Sequence, residues 1–238
     1  MEEMNNLDWD HPHVDKYEEK ITLKIPCYEM LHDMMDCLLV EHLGERHVDI
    51  HIVGAGGGQE LVTLGGRHKD WVFTGVDTSE SMLKLARKRL AISSKNIKVK
   101  LVQGEVGKLK ESKKYSAATC MLVLHFLDME RKKVLLRSIV ERLDEGAPFF
   151  IATINRDPSS DSFMWQMRAW KNQMLSNGVP IEEWNRFEES IGASIHMHPS
   201  LEIESLLQRE GFKNITRFFS AYLVDGWFAI KEGGDNKK

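Results

Sequence analysis

Long apolar runs are missing from this chain of 238 residues, and no uninterrupted stretch approaches the ~20 residues of a membrane span. Cysteine is scarce. Cys27, Cys37 and Cys120 are odd in number, widely spaced and form no C-x-x-C, which speaks against a disulfide framework and for reduced thiols in a cytoplasmic protein. Charge of one sign is not in excess either: 32 basic residues stand against 36 acidic ones, a formal net charge of −4. Global electrostatics therefore carry no strong nucleic-acid signal. The two dense basic stretches, Lys84 to Lys100 and Lys108 to Lys114, read as solvated helix and loop faces. The two H-x-H pairs, His11-Pro12-His13 and His196-Met197-His198, lack cysteine or acidic partners at ligand spacing, so no metal site is expected. Met1 to Asp15 is acidic and polar, unlike a signal peptide. There is no internal repeat and no low-complexity segment.

What remains is an ordinary globular composition. Apolar content of 42% supplies a sizeable core for one large domain, or one domain with additions. Its most informative stretch is Val48-Asp49-Ile50-His51-Ile52-Val53-Gly54-Ala55-Gly56-Gly57-Gly58-Gln59-Glu60, an apolar strand that stops in a glycine turn. A second strand, Trp71 to Val76, follows and ends in Asp77. Glycines let the backbone turn sharply and approach a ligand that a Cβ would block. A carboxylate at the end of the second strand can accept hydrogen bonds from both hydroxyls of a ribose.

Two ligand classes suit such a unit: a dinucleotide, and S-adenosylmethionine. The dinucleotide fingerprint G-x-G-x-x-G needs a third glycine where this chain has Gln59, or Leu61 in the alternative register. Gly54, Gly56 and Gly58 instead give G-x-G-x-G.

Further along, strands and helices alternate. Tyr28 to Leu43 is an amphipathic helix, with Met30, Leu31, Met34, Met35, Leu38 and Leu39 at helical spacing. A helix opens at Gln59 and is expected to end at Gly65-Gly66. Thr78 or Ser79 can cap the helix Glu80 to Ala91. Strands are expected at Ile97 to Val102, Ala117 to Leu122 and Pro148 to Thr153, with the helix Met129 to Leu143 between the last two. After Asp157 come three helices, Phe163 to Ser176, Ile181 to Ile191 and Leu201 to Glu210, then two β-rich runs, Asn214 to Phe219 and Ala221 to Ile230. The pattern predicts an α/β, Rossmann-like, doubly wound and mostly parallel seven-stranded sheet with a C-terminal β-hairpin and a helical cap. The expected organisation is an N-terminal arm and helix over residues 1–45, a ligand-binding domain over 46–232 with the cap at about 157–200, and a tail at 233–238.

In open α/β sheets ligands bind beyond the carboxyl ends of the strands. Those tips carry Gly54, Ala55 and Gly56, then Asp77, then Glu105-Val106, then Met121 leading to His125. A carboxylate at 105 can accept from an exocyclic adenine amine, and the Val106 N–H can donate to the ring. His125 either orients an acceptor, acts as a general base, or fills a capping role. Trp165, Trp170, Trp184 and Phe187 either pack as ordinary core or form an apolar acceptor pocket, with Trp184 and Arg186 the substrate-side candidates.

This arrangement resembles the class I S-adenosylmethionine-dependent methyltransferases over roughly residues 45 to 155. A narrower resemblance covers nearly the whole chain. Ile25-Pro26-Cys27-Tyr28, Leu122-Val123-Leu124-His125-Phe126-Leu127-Asp128 and the closing Leu206-Leu207 and Gly211-Phe212 segments are similar to the bacterial carboxy-S-adenosylmethionine synthases, which serve tRNA wobble-uridine modification. That resemblance implies cofactor contacts at Tyr28, Gly54 to Gly56, Asp77-Thr78, Glu105-Val106 and Met121. It also implies that Arg186 holds an extra carboxylate through its bidentate fork.

Three departures are visible. Met121 stands where that family has asparagine, and Glu105 where it has aspartate. Ile52 stands where the methyltransferases often carry an acid, so the ligand's amino group falls to backbone carbonyls or another side chain. Glu60 is a candidate for that role; otherwise it is a helix-start carboxylate favoured by the macrodipole.

The expected function is methyl transfer from S-adenosylmethionine, or a carboxylated derivative, to a small molecule or a nucleic-acid-modification substrate. Alternatives are a carboxy-S-adenosylmethionine synthase-like enzyme, an NAD-dependent oxidoreductase and a non-catalytic adenosyl-binding protein. The expected partner is a small-molecule substrate, with no membrane, and a homodimer is allowed.

Overall fold

The computed structural model describes residues 17–44, 47–93, 96–109, 113–155 and 157–233. The expected arm at residues 1–15 with its His11-Pro12-His13, the tail beyond Gly233, and residues 94–95 and 110–112 of the basic stretches lie outside the described residues.

Helices α1 (Tyr17–Lys24) and α2 (Tyr28–Leu43) lead into β1 (Asp49–Val53), α3 (Gln59–Arg67), β2 (Val72–Asp77), α4 (Glu80–Ser93) and β3 (Lys98–Gln103). Then follow β4 (Ala117–Met121), α5 (Met129–Val140), β5 (Pro148–Ile154), α6 (Phe163–Ser176), α7 (Ile181–Ser190), α8 (Ser200–Arg209), β6 (Phe212–Ala221) and β7 (Val224–Lys231). The sheet has seven strands in the order β3-β2-β1-β4-β5-β7-β6. The first five are parallel, while β7 runs antiparallel to both β5 and β6. This is the mostly parallel sheet with a C-terminal hairpin that the sequence pattern predicts. Strand order reverses between β1 and β4, and that switch point is where the glycine turn emerges.

Burial follows position in the sheet. Central β5 is buried at every residue, Pro148 to Ile154, whereas edge strand β3 has no buried residue. A strand with helices on both faces must be apolar on both. On α2, Leu31, Met35 and Leu39 repeat every four residues and are fully buried, each worth ~1.5–3 kcal/mol of apolar burial. Asp128 caps α5 by accepting the Arg131 N–H at 2.8 Å, and Ser79 caps α4 by accepting the Met82 N–H at 3.1 Å.

Several boundaries differ from the expectation. Gly65-Gly66 does not end α3, which continues to Arg67. Glycine costs a helix ~1 kcal/mol per residue, but Gly65 is where α3 packs on the start of β3. A Cβ there would lie 2.6 Å from Ile97 Cγ2. Ala221 closes β6 rather than opening the last strand, and the hairpin turns at Tyr222-Leu223 with Tyr222 at φ 49°. The expected helix Met129 to Leu143 stops at Val140. Helix α1 is an element that the sequence reading missed. It is tied to the region of α6 and α7: Trp170 Nε1 donates to the Lys24 carbonyl at 2.7 Å, and Asn177 Nδ2 donates to that of Leu23 at 3.0 Å. Lys20 and Lys24 both pair with Glu183, at 2.6 and 2.5 Å. Burial raises the Glu183 carboxyl, but the two ammonium groups outweigh it and bring it down to about 2.

Candidate functional site

The site is assembled at the carboxyl ends of β1, β2 and β4. Gly54 leaves β1 at φ 70°, and a Cβ there would run into Val123 Cγ2 from the β4 tip. Only glycine satisfies both constraints. The Gly54 and Ala55 N–H groups donate to the Val76 carbonyl at 2.8 and 2.9 Å, binding the turn to the end of β2. Asp77 completes that union. Its Oδ2 accepts the Gly56 N–H at 2.8 Å and its Oδ1 accepts the Ser79 N–H at 2.9 Å. A carboxylate at the end of the second strand is the type of group that accepts from ribose hydroxyls.

Below the turn lies a narrow cavity of about 30 Å³, lined by Tyr28 and His32 of α2, the glycine turn, Glu60, Arg89, Met121 and Leu122. Of the residues singled out in the sequence, Tyr28, Gly54, Ala55, Gly56, Glu60 and Met121 meet here, with Asp77 fastened beside them. Thr78 is exposed next to Asp77, and its carbonyl accepts from Gln103 Nε2 at 3.3 Å. At the third tip Glu105 is exposed and pairs with Lys108 at 3.1 Å, while Val106 is buried and its carbonyl accepts from Arg142 Nε at 3.1 Å.

Three residues stand apart from this group. His125 is buried and outside the cavity lining. Its Nδ1 accepts the Ile154 N–H at 3.2 Å, so the proton sits on Nε2. Burial, and then the charge of Lys132, push it down to about 3. These features make His125 a neutral brace between the β4 tip and β5 and argue against a general base, whose pKa needs to lie near the working pH. Arg186 is exposed on α7 and absent from the cavity lining, because the inward positions of that helix go to Trp184 and Phe187. Trp184 is buried against Trp170 and Phe187, with ring centroids 6.4 and 5.3 Å away, a packing arrangement rather than an open pocket wall.

The structure adds residues that sequence reasoning passed over. His32 sits one turn after Tyr28 on the same buried face of α2, a spacing that could have flagged it. Its Nδ1 donates to the Tyr28 carbonyl at 2.8 Å, and burial holds it below its ordinary value. Arg89 donates to the Gly57 carbonyl and to Gln59 Oε1, both at 2.8 Å, clamping the turn from α4. No local signal marks it, since α4 reaches the turn only through tertiary packing. Leu122 is at φ 59°, a strained conformation at the switch point, and its N–H donates to the Ala152 carbonyl at 2.7 Å. Glu60, already a candidate from the sequence, is 5% exposed and accepts a hydrogen bond from Thr119 Oγ1 at 2.6 Å.

Comparison with known proteins agrees with the fold. A family described as "Methyltransferase domain" matches residues 50–146. Ubiquinone biosynthesis O-methyltransferase of Marinobacter nauticus is 27% identical over 219 residues, covering 85% of this chain and 87% of the relative. Carboxy-S-adenosyl-L-methionine synthase of Staphylococcus epidermidis is 21% identical over 218 residues, covering 91% and 93%. Among solved structures, magnesium protoporphyrin IX methyltransferase from Synechocystis superposes with a TM-score of 0.63 at 15% identity, over 86% of this chain and 84% of the other. The methyltransferase SibL superposes with a TM-score of 0.61 at 16% identity over 87% of this chain, which spans only 57% of SibL.

Proposed function

We propose that this chain, a class I S-adenosylmethionine-dependent methyltransferase, moves the sulfonium methyl group to a small-molecule acceptor held between the glycine turn and the α6–α7 cap. The observation that carries the reading is the Asp77 carboxylate at the end of β2, beside the strand-order switch, where its hydrogen bond to the Gly56 N–H fastens the glycine turn. When bound, the cofactor supplies an electrophilic methyl carbon. The chain's own residues then bind, align and exclude water. In this reading Gly54 to Gly56 give the close backbone approach and Asp77 with Thr78 takes the ribose. Glu105 and Val106 take the adenine edge, while Tyr28 and Met121 close the sulfonium side. With His125 held neutral inside the core, proton removal falls to solvent or to the acceptor itself.

The carboxy-S-adenosyl-L-methionine synthase relative, aligned over 93% of its length, favours a second reading in which the ligand carries an extra carboxylate. The exposure of Arg186 weighs against it. A cytoplasmic setting belongs to the proposal and is supported by the free thiols at Cys27, Cys37 and Cys120. No helix among the described residues is long and apolar enough to cross a membrane.

Mass spectrometry of the purified protein, with calorimetry using S-adenosylhomocysteine and a fluorescence titration with NADH, tests the proposal. Saturable binding of S-adenosylhomocysteine without NADH binding is expected. Saturable NADH binding without S-adenosylhomocysteine binding would overturn it, and co-purified carboxy-S-adenosylmethionine would select the second reading.

A further inference from the structure

The carboxyl of Glu60 is the most unusual group beside the glycine turn. It lies in the first turn of α3, lines the cavity and is 5% exposed. No cationic side chain among the described residues pairs with it. Its hydrogen-bond partner is the Thr119 hydroxyl of β4, at 2.6 Å. Thr119 is in register with Ile52 of β1, so the carboxyl stands on the sheet beside an aliphatic side chain, and the end of β1 supplies no acid of its own. A carboxylate has about four acceptor sites, and one hydroxyl occupies one of them. An acid buried with so little compensation costs several kcal/mol in a purely structural role, and an amide or an apolar group would serve better.

We propose that Glu60, held by Thr119, receives the ammonium group at the amino-acid end of the cofactor. This assignment rests on the S-adenosylmethionine reading and adds to it the residue that recognises the methionine head. The ligand would then lie between two carboxyls, Asp77 at the ribose and Glu60 at the ammonium.

A consequence is that binding releases a proton. Without ligand, burial, and after it the nearby Asp77 charge, push the Glu60 carboxyl up to about 8 against the Thr119 hydrogen bond, so at pH 7 it is mostly the neutral acid. The groups around it do not reverse this. His32 on α2 is itself depressed by burial. Cys120 on β4 is pushed upward, and Arg89 on α4 is turned to the Gly57 carbonyl and Gln59. An arriving ammonium stabilises the carboxylate, and the proton leaves to solvent.

Calorimetric titration of S-adenosylhomocysteine at pH 7, in two buffers of different ionisation enthalpy, counts that proton. Wild-type protein should release about one proton per ligand. Glu60→Gln keeps the acceptor for Thr119 but cannot ionise. It should release none and bind S-adenosylhomocysteine roughly tenfold or more weakly. 5′-Deoxy-5′-methylthioadenosine, which lacks the ammonium, should bind both proteins alike. Ligand-free Glu60→Gln should unfold at or above the wild-type temperature, which shows that the variant is folded. Wild-type affinity and proton release in Glu60→Gln would overturn the assignment, as would equal loss of both ligands. A wild-type protein that binds neither compound would overturn the cofactor reading, and this assignment with it.

Discussion

Gly54→Ala probes the glycine turn through two separable costs. Gly54 is at φ 70°, and placing alanine in the left-handed region costs about 1–2 kcal/mol. The new methyl would also drive into Val123 Cγ2, so Val123 or the turn must shift, and such overpacking costs about 1–3 kcal/mol. Together the substitution should destabilise the chain by about 2–5 kcal/mol. Val123→Ala removes the obstructing γ-carbons, leaving the nearest remaining atom, Val123 Cβ, at 3.4 Å, an ordinary contact. In the double variant the backbone cost should persist and the overpacking cost disappear, a favourable coupling of about 1–3 kcal/mol. Equilibrium urea unfolding of the four proteins measures it, with S-adenosylhomocysteine binding as a parallel readout. Coupling below about 0.5 kcal/mol would mean that Val123 does not press on the turn, and the steric argument would fail.

Asp77→Ala should weaken S-adenosylhomocysteine binding by roughly 1.5–3 kcal/mol in calorimetry, since it removes a charged acceptor; unchanged affinity in a folded variant would take Asp77 out of the site. The neighbouring glycines of α3 should behave oppositely in thermal unfolding. Gly66→Ala has no atom within 4 Å of the new methyl and should stabilise by about 0.5–1 kcal/mol, whereas Gly65→Ala meets Ile97 and should destabilise. Ligand-free stability should depend on pH through the buried titratable groups. His125 and His51 are held at about 3 and about 4 by burial, so the unfolded chain takes up more protons below 6.5 and stability falls as pH drops. Glu60, held at about 8 against 4.5, binds its proton more tightly in the folded chain, so its own contribution to stability falls as pH rises from 6.5 to 8, by about 1.7 kcal/mol. In urea titrations the stability of Glu60→Gln relative to wild type should therefore rise between pH 6.5 and 8, and a constant difference would refute this role of Glu60.

Much of the framework was legible because it is local. Strand, glycine turn, helix and Asp77 lie within one short stretch, and periodicity of burial follows directly from backbone geometry. The limits of α6, Phe163 to Ser176, were readable for the same reason, since its apolar stripe is self-contained. Gly65-Gly66 misled because a local penalty was outweighed by a packing contact with Ile97, more than thirty residues on. For Arg186 and His125 the sequence left alternatives open for another reason. Sequence places a residue on an element but not the face it presents, and a helix that buries Trp184 must turn Arg186 outward.

By itself, then, the sequence determined the order of elements, the sharp turn after β1 and the acid that ends β2, because these depend on neighbours along the chain. Tertiary structure alone decided which side chains share the cavity. The strand order sets β4 beside β1, which brings Thr119 under Glu60, and helix packing carries His32 and Arg89 to the turn. Burial then sets the chemistry. Glu60 would be an ordinary acid in water, and the loss of solvent around it makes it a neutral group at pH 7.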